Sequence, residues 1–106
     1  MRTGRVRTRG EFAALRERGS RSRQRSLRVL HLPDDADGVR VAFAIGRPVG
    51  TAVVRNRLRR RLRAAIRELA PAPGLYLLSV TPNAARQSYS DLRDDLATAL
   101  AEVGAR

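Results

Sequence analysis

The chain contains no cysteine, no lysine, no tryptophan and a single histidine in 106 residues, and each absence removes a class of chemistry. Without cysteine there is no disulfide framework, no thiolate zinc site and no cysteine nucleophile. One histidine rules out multi-histidine metal sites. His31 also has no partnered nucleophile in sight, so it reads as a strand residue rather than a general base. No apolar run reaches the length of a signal-peptide core or a membrane span, and a cytoplasmic location is expected by default. Acidic residues are scarce too. Asp34, Asp35 and Asp37 lack the later glutamate of a calcium loop and read as a strand-connecting turn.

What the chain has in excess is arginine. Its 22 basic residues are all arginine and face 10 acids, a formal net charge of +12. Such an imbalance repels itself in the compact state and calls for a polyanionic partner. Arginine suits bidentate phosphate contacts, but a GC-rich genome enforces the same bias, so no function is drawn from the missing lysines. The distribution says more. Residues 1–31 carry ten arginines and two acids, residues 40–67 nine arginines and no acid, and residues 68–106 three arginines and five acids. The length suits one domain with one core.

Residues 1–10 are basic, poor in apolar side chains and punctuated by glycine, which predicts a flexible basic arm ahead of a single domain over residues 11–106. Phe12 and Leu15 mark a short helix ending at Gly19. A basic Ser/Arg run from Ser20 becomes strand-like through Leu27, Val29, Leu30 and Leu32 and stops at Pro33. Ser20, Ser22 and Ser26 fit phosphate contacts and plain strand-entry residues equally well. Between Val39 and Ile45 the alternation is clean, with Val39, Val41, Phe43 and Ile45 on one face and Arg40, Ala42 and Ala44 on the other. Thr51 is a plausible N-cap for a helix running to about Leu69, ended by Pro71, Pro73 and Gly74. A short apolar strand follows, and then a helix with Ser90 as a candidate cap and Leu92, Leu96, Leu100 and Val103 in one stripe. The expected class is α/β, a mixed sheet covered by helices in the order αβββαβα.

The chemistry concentrates in residues 52–69. At 100° per residue, Val54, Leu58, Leu62, Ala65, Ile66 and Leu69 fall within an arc of about 120°. Opposite lie Asn56, Arg60, Arg63 and Arg67, flanked by Arg57 and Arg59, with Arg55 and Arg61 nearer the apolar boundary. A helix face built for stability alone would mix charge signs and place acids near its N-terminus. Here Arg55–Arg59, Arg57–Arg61, Arg59–Arg63 and Arg63–Arg67 are like-charge pairs four apart, each destabilising by about 0.2–0.5 kcal/mol. Phosphate binding would reverse most of that cost. DNA base readout would want a more mixed polar face, and a membrane-surface helix would want Trp or Phe among its apolar residues. A structural RNA-binding role, such as that of a ribosomal component, suits a basic helix on a small α/β domain equally well.

The run Gly50-Thr51-Ala52-Val53-Val54-Arg55-Asn56-Arg57-Leu58-Arg59-Arg60-Arg61-Leu62-Arg63 resembles the RNR signature of the bacterial ribonuclease P protein family. The similarity extends from the Glu11-Phe12 helix to the Pro82 turn and the final leucine helix. It implies a compact two-layer α/β sandwich with a left-handed βαβ crossover. It also implies a protein subunit with no catalytic residue of its own, which binds ribonuclease P RNA and the 5′ leader of precursor tRNA and assists removal of the leader. Arg55, Asn56, Arg57, Arg59, Arg60, Arg61, Arg63 and Arg67 would then face the catalytic RNA. Arg9, Phe12, Arg16, Arg28, Arg40 and Arg47 would line the leader cleft. The resemblance implies no cofactor or metal held by the protein alone, Mg2+ required by the holoenzyme, and a monomeric protein with one copy per catalytic RNA. Two positions depart from the family pattern: Arg16 stands where a second aromatic is expected, and Thr81 replaces a common arginine before Pro82. A planar guanidinium at Arg16 can itself stack on a base.

Overall fold

The computed structural model describes residues 3–34 and 38–104. Five strands form one mixed sheet: β1 (Thr3–Arg5), β2 (Ser20–Gln24), β3 (Leu27–Pro33), β4 (Val39–Ala44) and β5 (Gly74–Val80), in the spatial order β1-β4-β5-β3-β2. Three helices accompany it, α1 (Arg9–Arg18), α2 (Ala52–Leu69) and α3 (Tyr89–Gly104), together with short 3-10 turns at Arg47–Val49 and Pro82–Arg86. β4 runs parallel to both β1 and β5, whereas β3 is antiparallel to both β5 and β2. α2 is the crossover between the adjacent parallel strands β4 and β5.

Strand alternation divides the sheet into two unequal faces. On the first, Leu27, Val29, Val39, Val41, Tyr76 and Leu78 pack against Leu58, Leu62 and Ile66 of α2 and Leu92, Leu96 and Val103 of α3. On the second, Leu75 and Leu77 form a smaller cluster with Val6 and Leu15, against which Phe12, Leu30, Leu32 and Ala42 pack partly buried. The sandwich of sheet against α2 and α3 is therefore the main body, and α1 covers only part of the other face. Both helical stripes expected from the sequence are the buried ones, and the Val39–Ala44 alternation is the observed strand.

Two expectations are corrected and one is made more specific. The arm over residues 1–10 does not stay loose through its described part. Thr3–Arg5 pairs with β4 in the register Thr3↔Val39 to Arg5↔Val41, and Val6 is buried. Arg9 and Gly10 already belong to α1, because Thr8 caps it: the Thr8 hydroxyl accepts from the Glu11 N–H at 3.0 Å, and the Glu11 carboxylate accepts from the Thr8 N–H at 3.1 Å. This reciprocal capping box supplies the order that apolar content alone does not suggest. Secondly, the Ser20 to Pro33 stretch supplies two of the three strands expected between the first two helices, as a hairpin whose turn, unmarked in the sequence by Gly, Pro, Asn or Asp, falls at Arg25 and Ser26, with Arg25 at a φ of 46°. Thirdly, α3 is capped by Ser88, whose hydroxyl accepts from the Asp91 N–H at 3.1 Å, and not by Ser90. Asp35 and Asp37 of the acidic turn lie outside the described residues; Asp34 pairs with Arg40 at 3.2 Å.

His31 occupies the buried position its strand pattern implies. Its ring stacks on Tyr76 with centroids 4.2 Å apart, and its Nδ1–H donates to the Leu75 carbonyl at 3.2 Å. Gly74 is required here by contact: at its φ of 144°, a Cβ would stand 2.4 Å from the Leu32 carbonyl oxygen and 2.7 Å from the His31 ring. The Tyr76 hydroxyl donates to the Ala72 carbonyl at 2.6 Å, and burial pushes its pKa up to about 12. Burial likewise holds the His31 imidazole below its ordinary value of 6.5, outweighing the Leu75 bond that favours the proton. The unfolded chain therefore takes up a proton as pH falls past 6.5 while the folded chain resists, so stability declines with falling pH until the folded pKa is reached. His31→Phe, which keeps a ring against Tyr76, is expected to lose less stability between pH 7.5 and 5 than the native chain in urea denaturation. An equal loss would remove His31 as a source of acid sensitivity.

Candidate nucleic-acid interface

Thr51 starts α2, its hydroxyl accepting from the Val54 N–H at 3.3 Å. The close approach of Gly50 to Val54, where a Cβ would stand 2.9 Å from Cγ1, fixes the entry of the helix after the 3-10 turn. With Leu58, Leu62, Ala65 and Ile66 locked in the core, the rotation of the helix is set and its arginines are held along its outer face and its flanks. Asn56, Arg57, Arg60 and Arg67 are exposed, while Arg55, Arg59, Arg61 and Arg63 are half-buried along the flanks.

None of the seven arginines of α2 makes an ion pair among the described residues; the salt bridges involve Arg25, Arg40 and Arg93. The helix's own acid, Glu68, is engaged by Arg93 of α3 at 3.2 Å. The α2 arginines instead meet neutral partners. Arg59 donates to the Asn56 side-chain oxygen at 2.9 Å, Arg61 to the Gln87 carbonyl at 3.4 Å, and Arg63 lies 5.2 Å from the Phe43 ring centroid. Arg55 Nε is buried without a hydrogen-bond partner. The first turn of α2 carries no acid, so the positive end of the helix dipole adds to the arginine field rather than being offset. The strip is an anion-seeking surface held on a rigid element.

The expected leader-cleft residues are brought together in two groups. Arg9, Phe12 and Arg16 share one depression on α1, and the Arg16 guanidinium lies 5.8 Å from the Phe12 ring centroid. Arg16 thus extends the aromatic surface at the position where the family pattern has a second ring. Arg28 lies on the uncovered end of the second sheet face, in a cross-strand row with Arg23 of β2 and Ser79 of β5. Arg47 is exposed on the 3-10 turn that leaves the same end of β4. Arg40 does something else. It pairs with Glu11 and with Asp34, its side chain only 17% exposed, and so ties α1 to the sheet rather than standing open in the cleft. Glu11 is held below the usual carboxylate range by the N–H groups of Arg7 and Thr8, with Arg40 adding to the effect.

Sequence reasoning left Arg21 and Arg23 out of the cationic face that Arg28 occupies, although the period-two pattern of Ser20, Arg21, Ser22 and Arg23 carried the signal. They project from the same sheet face as Arg28, and Arg21 also donates to the Arg16 carbonyl at 2.7 Å. Two of the serines are structural: Ser22 is buried against Glu102 of α3, and Ser26 against Gln87. Gln87 in turn donates to Asp95 at 3.0 Å, and Asp95 receives the Arg25 guanidinium at 2.9 Å. That cluster pins the hairpin turn to α3 and sets the position of the β2 and β3 arginines.

The fold and this surface define a small basic α/β protein that presents an arginine helix on one side and a partly covered sheet face on the other. The profile of the Ribonuclease P family matches residues 1–104. The ribonuclease P protein component of Gluconacetobacter diazotrophicus is 36% identical, over 99% of this chain and 95% of its own length. That of Nocardioides sp. is 39% identical over 95% and 92%. That of Thermus scotoductus is 40% identical over 88% of this chain, which spans 56% of that longer relative. Among solved structures, the RNase P protein of Thermotoga maritima in complex with 1-(4-fluorophenyl)-2-thiourea superposes with a TM-score of 0.78 at 22% identity, covering 89% of this chain and 94% of its own. The RNase P protein of Staphylococcus aureus superposes with a TM-score of 0.79 at 17% identity, covering 93% and 95%. The chain belongs to the ribonuclease P protein family.

Repulsion along α2 gives a test with opposite signs in two assays. Arg59→Glu replaces the like-charge pairs with Arg55 and Arg63 by attractive ones, each worth about 0.2–0.5 kcal/mol. The free protein is expected to melt at a higher temperature in low salt while its affinity for RNA falls. A lower melting temperature would show that the arginine strip is not under electrostatic strain.

Proposed function

We propose that this chain is the protein subunit of ribonuclease P, binding the catalytic RNA and the 5′ leader of precursor tRNA while the RNA carries out the cleavage. The observation that carries this reading is the α2 strip, seven arginines on one helix with no carboxylate paired to them among the described residues. Arg55, Asn56, Arg57, Arg59, Arg60, Arg61, Arg63 and Arg67 form the contact with ribonuclease P RNA. Phosphate contacts of this kind release counterions, so affinity falls steeply with salt.

The leader, being single-stranded, crosses the second face of the sheet. Phe12 with Arg16 over it offers a stacking surface, since unpaired bases stack on aromatic rings and guanidinium planes. Arg9, Arg23, Arg28 and Arg47 meet phosphates along the path, and Arg40 acts on the cleft through α1. The protein supplies position and charge, and Mg2+ belongs to the holoenzyme, whose requirement for it the protein lowers by neutralising phosphates. The working unit is one monomeric protein per catalytic RNA, in the cytoplasm. Among the described residues no helix is long and apolar enough to cross a membrane, and no group of three or more His, Asp or Glu side chains is placed to hold a metal ion.

The test is cleavage of a precursor tRNA by the cognate ribonuclease P RNA at low magnesium, with and without the protein, followed by mapping of product 5′ ends. A large increase in cleavage at the mature 5′ end is expected. RNA binding without any such increase would favour a structural RNA-binding role instead.

A further inference from the structure

A hollow of about 370 Å³ opens between the β1 edge of the sheet and the C-terminal half of α2. It lies on the sheet face opposite α1, so it is separate from the cleft assigned to the leader. Its floor is apolar, formed by Val41, Phe43 and Ile66, and its rim carries Arg5, Arg7, Arg63 and Arg67. None of these four arginines has an ion-pair partner among the described residues. Arg63 is held over the Phe43 ring at 5.2 Å, and Phe43 itself is only partly buried. Core packing explains the floor but not a rim of four like charges around it.

We propose that this hollow is an additional RNA-contact site that takes one unpaired nucleotide with its flanking phosphates. The proposal rests on the RNA-binding reading above and extends it beyond the outward face of α2. The chemistry matches part by part. The volume lies within the range of small-ligand sites, about 300–1,000 Å³. The Arg63–Phe43 pair offers a flat, weakly hydrated surface for a base, and Arg5, Arg7 and Arg67 stand where phosphates on either side of it would lie. A duplex cannot present a base face in this way, whereas an unpaired position can. Arg63 and Arg67 belong both to the α2 strip and to the rim, so an RNA strand bound along the helix passes the mouth of the hollow. β1 is then a functional edge, because its pairing with β4 is what brings Arg5 to the site.

The test uses the full chain and its cognate ribonuclease P RNA. Arg5→Ser with Arg7→Ser removes two rim charges without touching α2, and leaves the Arg7 backbone N–H on Glu11 in place. The slope of log affinity against log salt is expected to fall in magnitude by about 1.4, from about 0.7 for each single-strand phosphate contact, with an unchanged circular dichroism spectrum. Phe43→Leu is expected to weaken binding about five-fold or more through lost stacking; the arginine pair keeps the proposal falsifiable if that variant fails to fold. An unchanged slope in the double variant overturns the site while leaving RNA binding through α2 intact. A reduced slope with native affinity in a folded Phe43→Leu protein overturns the stacked nucleotide. Absence of RNA binding by the native chain overturns this site and the underlying reading together.

Discussion

The constraint on which the surface of this molecule depends is a row of guanidinium groups on α2 that repel one another and cannot leave. The apolar stripe of α2 is locked into the core by Leu58, Leu62, Ala65 and Ile66, so the helix cannot rotate to disperse its arginines. Glu68, the acid within reach, is occupied by Arg93. The strain is modest pair by pair, a few tenths of a kcal/mol, but it accumulates along one surface and is relieved only from outside. A polyanion is the complement that such a surface selects.

The arginines divide into those used by the fold and those that stand open. Arg25 on Asp95, Arg40 on Glu11 and Asp34, and Arg93 on Glu68 hold the hairpin turn, α1 and α3 in place. These pairs fix the geometry in which Arg23, Arg28 and Arg47 stand open on one face, and Arg5, Arg7, Arg63 and Arg67 on the other. The few acids therefore act as selectors that decide which cations are structural.

Hydrophobic periodicity, with caps and Gly and Pro breaks, made the elements of the main layer legible. The stripes of α2 and α3 and the alternation of β4 depend on burial, and burial follows hydrophobic spacing. β1 was not legible because its three residues gain order from pairing with β4 and from the Thr8–Glu11 capping box, neither of which leaves an apolar signature. The role of Arg40 was hidden for a similar reason: its carboxylate partners come from α1 and from the turn before β4, and only the fold brings them together. Ser22 and Ser26 likewise meet Glu102 and Gln87, far along the chain. The α2 surface was legible because a single helix contains all of it.

The most direct measurement of the central claim is an NMR titration following the Arg Nε–H resonances as ribonuclease P RNA is added. The α2 arginines are expected to shift with RNA while Arg40 and Arg93, already engaged by carboxylates, hold their positions. Shifts concentrated on Arg40 and Arg93, with α2 silent, would contradict it.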